Sequence, residues 1–161
     1  VWHGDRDIYA LNQQERAALR AKDVGFVFQM FHLVPYLNVL DNVLLAGPLP
    51  ASREVALQLL DELGMSGRLE HRPAELSAGE CQRTALARAL AQSPKLILAD
   101  EPTGNLDPEN TEVVMRHLKN YQQQGGTVVV VTHSDDNDRY AERVVKMESG
   151  RLMEAAGVTP D

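Results

Sequence analysis

The sequence predicts an α/β domain with a mostly parallel sheet, and three observations lead to this fold class. Short apolar segments alternate with stretches of helical pattern along the chain, as they do in α/β domains. Three of the apolar segments end on polar residues that can share one edge of a sheet. The 161 residues suffice for one domain with its own core.

Charge, cysteine content and the length of the apolar runs exclude several classes of protein. The 16 basic and 23 acidic residues give a net charge of -7, and the basic residues form no stripe, so we expect no nucleic-acid partner. The single cysteine, Cys81, excludes an internal disulfide and fits a reducing compartment. The longest apolar runs, such as residues 128–131, are far too short to span a bilayer. The chain does not begin with Met, so we expect its true start to lie before Val1.

The first half of the chain predicts one strand and one clear helix. Residues 24–29, VGFVFQ, form a short strand that ends at a polar residue. Residues 31–47 are apolar without a clean period. Residues 53–63 repeat apolar positions at helical spacing. The side chains on one face of this helix are Val55, Leu59, Leu60 and Leu63.

The second half predicts two further strands and two helices. A loop leads into a helix after residue 76, and KLILAD at 95–100 is a buried strand. The next helix has Asp107 as its N-cap, Pro108 at its first position and a glycine stop. TVVVVTH at 127–133 is a second buried strand.

The chain ends in a predicted hairpin. Residues 143–147 supply its first strand, and Ser149-Gly150 supply the turn.

Polar side chains follow the three predicted strands where each one ends. They are Gln29, the pair Asp100-Glu101, and Thr132-His133. Taken singly, each fits a loop residue, a cap or a salt-bridge partner. The carboxyl ends of parallel strands meet at one edge of a sheet, where ligands bind in open α/β folds. Two adjacent acids at a buried strand end are costly without a partner, so we expect a bound cation and a phosphate there.

A second anion site is predicted at the helix after residue 76. Ser77 and Glu80 have capping-box spacing. Ala78 and Gly79 are small, which lets a ligand approach the free N–H groups and the positive end of the helix dipole. A simple cap and a phosphate site can coexist, because the serine hydroxyl can serve either.

Three stretches together resemble the ATP-binding cassette (ABC) ATPases that power membrane transporters. They are LSAGECQRTALARAL, KLILADEPTGNLD and VVVVTH, and FVFQ falls where that family has its Q-loop. The motif TGNLD and the stretch FVFQMFHLVPYLNVLDNV are most similar to the lipoprotein-release and macrolide-export subgroup. The resemblance covers essentially the whole chain.

The resemblance implies a P-loop NTPase (RecA-like) core with an inserted helical signature subdomain, truncated at its N-terminal side. Residues 1–30 would be a core segment with the Q-loop, and residues 31–92 the helical subdomain with the signature motif. Residues 93–161 would be core with the Walker B, D-loop and H-loop motifs.

The resemblance also implies roles for the residues at the strand ends, with ATP and Mg²⁺ as cofactors. Asp100 would hold Mg²⁺ through water, and Glu101 would polarise the attacking water. Gln29 would approach the metal and the water, and His133 would contact the γ-phosphate. Phosphoryl transfer depends on such positioning and charge stabilisation.

Three further residues would act across a dimer of two ATPase subunits. Ser77 and Gly79 would grip the γ-phosphate of the ATP held by the partner subunit, and Asp107 would communicate between the subunits.

The chain departs from the family pattern in three places. The signature usually reads Leu-Ser-Gly-Gly, whereas this chain has Ala78, a sterically mild change. Cys81 replaces a residue that is usually polar, and we expect it on the helix surface without a redox role. No G-x-x-x-x-G-K-[ST] motif occurs, nor does the early aromatic residue that stacks on adenine.

We expect a P-loop about 30 to 40 residues before Val1. Its loss would also remove a strand that lies, in this fold, between the strands at 127–132 and 143–147. The chain alone should therefore bind ATP poorly and be inactive.

Three functions remain open on the sequence. The favoured one is the ATP-hydrolysing subunit of an ABC transporter, bound to integral membrane permease subunits at the cytoplasmic face of the inner membrane. A soluble DNA-repair or chromosome ATPase is less consistent, because residues 30–75 contain no coiled-coil or zinc insertion. A non-catalytic interaction module is supported only by the missing P-loop.

Overall fold

A three-stranded parallel sheet lies at the centre of the described part of the chain. The computed structural model describes residues 2–4, 6–46 and 51–153. The sheet contains β3 (Val24–Phe28), β4 (Leu96–Asp100) and β5 (Thr127–Val131). Their order in the sheet is β3-β4-β5. The register aligns Phe28, Asp100 and Val131 at the last row of the sheet. The predicted α/β class and the shared carboxyl edge are both confirmed.

Two short antiparallel hairpins lie outside this sheet. The strands β1 (Trp2–His3) and β2 (Arg6–Asp7) form the first hairpin, and β6 (Met147–Glu148) and β7 (Arg151–Leu152) form the second. Ser149 and Gly150 both have positive φ angles, 50° and 76°, as a two-residue hairpin turn requires. The predicted turn is confirmed.

The predicted strand at 143–147 is mostly wrong. Only Met147–Glu148 is strand; the Met153 N–H still donates to the Lys146 carbonyl oxygen at 2.8 Å, but no strand of the described residues pairs with 143–145. A strand needs such a partner to satisfy its N–H and C=O groups.

The described residues form five α-helices, and side-chain caps begin four of them. The sequence interpretation missed α1, although Asn12 and Glu15 form a capping box there. Ser77 forms another at α4, and Asp107 caps α5 with Pro108 at its first position, both as predicted. The bounds are α1 Gln13–Asp23, α2 Val39–Leu44, α3 Arg53–Glu62, α4 Ala78–Leu90 and α5 Pro108–Gln123.

The predicted buried face of α3 is confirmed at Leu60 and Leu63 and is wrong at Val55. Val55 is exposed, whereas Ala56, which the prediction omitted, is fully buried. The small Ala56 lies against the core because α2 and α4 pack closely beside α3. A hydrophobicity pattern gives Ala little weight, so it does not identify this position.

The core extends from α2 and α3 through α4 to the sheet and α5, and one part of it lies between α4 and the sheet. Val27, Ile97 and Leu86 are fully buried there. The helix approaches β3 so closely that a Cβ on Gly25 would lie 2.6 Å from Ile97 Cδ1 and 2.8 Å from the Ala89 carbonyl oxygen. Glycine is therefore required at this contact.

Among the described residues β5 pairs only with β4, and Val129 and Val131 are exposed, whereas the sequence predicted a buried strand. The free edge of β5 is the edge beside which we expect the strand that precedes Val1. A run of valines predicts burial on both faces, but the run itself contains no information on which edges are covered. No helix of the described residues has the length and apolarity needed to cross a membrane.

Candidate functional site

The turn after β4 places Glu101 at the carboxyl edge of the sheet. Asp100 is the last residue of β4, and Glu101 follows with a positive φ of 46°. The Glu101 N–H donates to the Val131 carbonyl oxygen at 2.8 Å, which continues the β4–β5 pairing by one bond. This turn directs the Glu101 side chain toward the segment after β5.

The Glu101 carboxylate is held by the two residues after β5. Its Oε1 accepts a hydrogen bond from the His133 backbone N–H at 2.8 Å and lies 2.7 Å from His133 Nδ1. Its Oε2 accepts from the Thr132 hydroxyl at 3.2 Å. The His133 side chain is 82% exposed, so it can leave this contact for a ligand without breaking the core.

Gln29 lies beside the loop that follows Glu101. Its Nε2 donates to Asn105 Oδ1 at 3.4 Å, and Asn105 Nδ2 donates to the Gln29 carbonyl oxygen at 3.4 Å. A Cβ on Gly104 would lie 2.9 Å from Gln29 Nε2, so the glycine permits the contact. The sequence interpretation did not single out Gly104 or Asn105, which were visible only as part of TGNLD.

Asp100 offers an exposed carboxylate at the same edge. Among the described residues no cluster of three or more His, Cys, Asp or Glu side chains could hold a metal ion alone. This donor set fits Mg²⁺ bound with a nucleotide, because Mg²⁺ usually takes one or two carboxylates and completes its shell with phosphate oxygens and water. We call these residues the strand-end group: Gln29, Asp100, Glu101, Thr132 and His133.

The start of α4 is fixed by a capping box and an ion pair. The Ser77 hydroxyl accepts from the Glu80 N–H at 3.2 Å, and Glu80 Oε2 accepts from the Ser77 N–H at 2.8 Å. Arg68 Nε lies 2.8 Å from Glu80 Oε1. The hydrogen bond from Arg68 and then that from Ser77 lower the pKa of the Glu80 carboxyl to about 2.

Gly79 is buried against α5, which the sequence interpretation did not foresee. A Cβ on Gly79 would lie 2.3 Å from Asn110 Cγ, so glycine is needed for helix packing and not only for access of a ligand. Asn110 Nδ2 donates to Asp107 Oδ2 at 2.6 Å, and Arg83 Nη1 donates to Asn110 Oδ1 at 2.6 Å. Hydrogen bonds from the Asn110 backbone and side chain lower the pKa of the Asp107 carboxyl.

Asn110 thus brings the three predicted dimer residues together in one place. We call these residues the helix-start group: Ser77, Gly79, Glu80, Asp107 and Asn110. The helix α4 also contacts the turn after Glu101, because Gln82 Nε2 donates to the Pro102 carbonyl oxygen at 2.7 Å.

The prediction that Cys81 lies on the helix surface is wrong. Cys81 is buried, and its Sγ lies 3.7 Å from the Pro73 carbonyl oxygen. Burial, with a smaller effect of Glu80, raises the pKa of the thiol. The loop before α4 folds back over this part of the helix, and the local sequence pattern does not show that.

Comparison with known proteins identifies similar chains over almost the whole length. A family model described as "ABC transporter" matches residues 3–104. An uncharacterized ABC transporter ATP-binding protein of Methanocaldococcus jannaschii is 42% identical over 159 residues, which cover 96% of this chain and 71% of that protein. The lipoprotein-releasing system ATP-binding protein LolD 2 of Caulobacter vibrioides is 45% identical, with 91% and 67% covered.

Two further comparisons extend this similarity. The macrolide export ATP-binding/permease protein MacB of Chlorobium luteolum is 44% identical over 92% of this chain, which spans only 23% of that protein. Among solved structures, the dimeric ATP-binding cassette MJ0796 in a post-hydrolysis state, bound to ADP and Pi, superposes with a TM-score of 0.81. Its sequence identity is 38%, and the match covers 91% of this chain and 68% of that one.

Proposed function

We propose that this chain, which belongs to the ABC transporter family, supplies the energy for export or lipoprotein release through a membrane permease. It is an ATPase cassette of the lipoprotein-release and macrolide-export type. The observation that carries this proposal is the Glu101 carboxylate, which His133 and Thr132 hold at the carboxyl edge of the sheet. The relatives are transporter subunits, so a DNA-repair ATPase is not favoured.

The metal side of the site would consist of Asp100 and Gln29. Asp100 would hold Mg²⁺ through water, and the Gln29 amide would orient water beside the metal. When bound with ATP, Mg²⁺ would offset the charge of the phosphate oxygens and of the two carboxylates.

Glu101 would act as the general base. Its carboxylate would take the proton of the attacking water at an Oε atom, while the Thr132 hydroxyl and the His133 N–H keep the carboxylate oriented. The exposed His133 ring would turn from Glu101 to donate to the γ-phosphate.

The helix-start group would complete the site of a second subunit. In a symmetric dimer, the Ser77 hydroxyl and the Gly79 N–H would point at the γ-phosphate held by the partner subunit, and each subunit would complete the other. Asp107, fixed to Asn110, would lie at the same interface. A dimeric solved relative is consistent with this assembly.

The test of this function is Glu101→Gln in the full-length gene product. The amide oxygen can still accept the His133 N–H, so the fold and ATP binding should persist. It cannot take a proton, so kcat for ATP hydrolysis should fall by roughly 10²-fold or more. Glu148→Gln, on the exposed β6–β7 hairpin, is the matched control and should leave kcat unchanged.

Hydrolysis by Glu101→Gln at a near-normal rate would contradict the role of Glu101 and move the general base to another residue, with His133 the first candidate. Retained ATP binding with slow turnover should also accumulate a dimer bound to ATP, which size-exclusion chromatography would detect.

The permease would dock beside Gln29, with the cassette at the cytoplasmic face of the membrane. Residues 31–92 would form the helical subdomain, inserted between core segments 1–30 and 93–161. The apolar side chains of Met30 and Tyr36 are 70% and 74% exposed next to the segment that carries Gln29. Exposed apolar groups grouped in this way mark a protein contact.

Tyr36→Glu should weaken co-purification with the permease and reduce the stimulation of ATPase by it. Tyr9→Glu is the matched control, because Tyr9 is 72% exposed but lies before α1. Equal behaviour of the two variants would exclude this docking surface, whereas the basal ATPase would still report on the catalytic proposal.

A further inference from the structure

The segment that follows Gln29 adopts an unusual backbone path. Phe31 and His32 have φ angles of 48° and 49°, so two successive residues with bulky side chains lie in the left-handed region. This region disfavours residues with a Cβ, and it is rarely occupied twice in succession. The turn therefore needs contacts from elsewhere in the fold to hold it.

Arg88 of α4 supplies these contacts. Its Nη1 donates to the His32 carbonyl oxygen at 2.6 Å, and its Nη2 donates to the Phe31 carbonyl oxygen at 2.9 Å. One planar guanidinium thus holds the two consecutive carbonyls of the left-handed turn. Charge-assisted bonds of this kind are stronger than neutral ones.

Aromatic packing supports the same turn. The His32 ring meets the Phe28 ring edge-on, with centroids 5.0 Å apart, and Phe28 is the last residue of β3. Burial lowers the pKa of the Arg88 guanidinium, which remains far above neutral pH in any case. Its charge is therefore available to the carbonyls under all working conditions.

Both ends of α4 meet residues of the proposed site. The helix begins at Ala78 with Ser77 as its N-cap, and Arg88 lies in its last turn. At about 1.5 Å per residue, Ser77 and Arg88 are roughly 16 Å apart along a single rigid element. A displacement of the helix start would thus reach the turn that follows Gln29 through Arg88.

We propose that Arg88 is a positioning residue, which fixes the backbone after Gln29 to the signature helix and so places the Gln29 side chain for catalysis. This inference rests on the proposed ATPase function and adds to it a specific link between the two proposed parts of the site. Arg88 itself need not touch ATP.

A double-mutant cycle in the full-length gene product tests this role. Arg88→Met keeps the buried stem and removes both hydrogen bonds, and it should lower kcat for ATP hydrolysis by roughly 10- to 100-fold through misplacement of Gln29. In a Gln29→Ala background the same change should have no further effect, because the residue that it positions is gone. The KM for ATP should change less than about threefold, since neither residue would hold the phosphates directly.

Two other variants complete the cycle. Arg116→Met is the matched control, because it removes an exposed arginine of α5 that pairs with Glu112 one turn away, and it should leave kcat unchanged. Arg88→Lys keeps the charge but not the fork that reaches two carbonyls, so it should recover only part of the rate. If Arg88→Met does not fold, Arg88→Lys takes its place in the cycle.

Two kinetic results would overturn the proposal: an unchanged kcat in Arg88→Met, or an equal loss of kcat with and without Gln29. Absence of ATPase in the unmodified protein would instead overturn the proposed function. If the unmodified protein has no ATPase activity, amide hydrogen exchange still tests whether Arg88 positions the backbone after Gln29. Faster exchange confined to residues 30–33 in Arg88→Met supports the positioning role, and unchanged exchange contradicts it.

Discussion

The strand-end group and the helix-start group are held in place by different means. In the strand-end group, Glu101 contacts the exposed His133 side chain, and Gln29 contacts Asn105 through two hydrogen bonds of 3.4 Å. The helix-start group is held by a capping box, an ion pair and the close contact of Gly79 with Asn110. The positions of the helix-start residues are therefore fixed when the chain folds. The strand-end side chains can be rearranged by a ligand without disturbing the core.

If this comparison is correct, substitutions in the helix-start group should cost stability, and those in the strand-end group should cost activity. The largest expected loss of stability is for Gly79→Ala. The added Cβ would lie 2.3 Å from Asn110 Cγ, and Asn110 is held by Arg83 and Asp107, so relief requires breaking these bonds. We expect a loss of about 1–3 kcal/mol in the free energy of unfolding, measured by denaturant titration.

Gly67→Ala is the control for Gly79→Ala. A Cβ on Gly67 would meet no atom within 4 Å, so this variant should be neutral or slightly stabilising. Equal stability of the two alanine variants would show that Asn110 moves freely, and the contrast between the two groups would then be wrong.

A pH titration of stability should give the next largest effect. The folded-state pKa of Glu80 is about 2, against an ordinary value of 4.5, so between these values the unfolded chain binds more protons. The contribution of Glu80 should be fully present above about pH 4.5 and be lost as the pH falls toward 2. Because Arg68 is 47% exposed, solvent limits the effect to about 1 kcal/mol.

Glu80→Gln should remove this part of the pH dependence while preserving most of the side chain's shape. Glu148→Gln again serves as control. A slope between pH 4.5 and 2 that is the same in Glu80→Gln and the unmodified protein would show that the Arg68–Glu80 pair contributes nothing in solution.

The smallest expected change in stability is for His133→Ala. The side chain is 82% exposed, so the free energy of unfolding should change by less than about 0.5 kcal/mol. The rate of ATP hydrolysis should nevertheless fall by about 10²-fold, because a donor to the phosphate is lost. A destabilisation as large as that of Gly79→Ala would mean that the strand-end group is also part of the folding core.

Much of the candidate site was predictable from short-range patterns. The strand ends at Gln29, Asp100 and Thr132-His133 follow apolar runs, and parallel pairing brings such ends together. The caps at Ser77 and Asp107 have side chains that bond three residues away, and local spacing is enough to identify them.

The features that were missed depend on contacts between distant parts of the chain. Asn110 meets Gly79 across 31 positions of sequence, from 79 to 110, and Asn105 meets Gln29 across 76. The burial of Cys81 depends on a loop that folds back over α4. Hydrophobic periodicity reports which face of an element is apolar, but it does not report which neighbour covers that face.

The parallel pairing of β3 with β4 also has a consequence for biosynthesis. Val24 pairs with Leu96, so β3 leaves the ribosome 72 residues before its partner strand. At 5 to 20 residues per second this delay is roughly 4 to 14 s. During that time all of α2, α3 and α4 emerges, and these helices contact one another in the folded protein. Nascent β3, with the apolar Val27 at its centre, therefore waits beside a forming helical unit without its partner β4, and its apolar surface is open to unwanted contacts until β4 is translated.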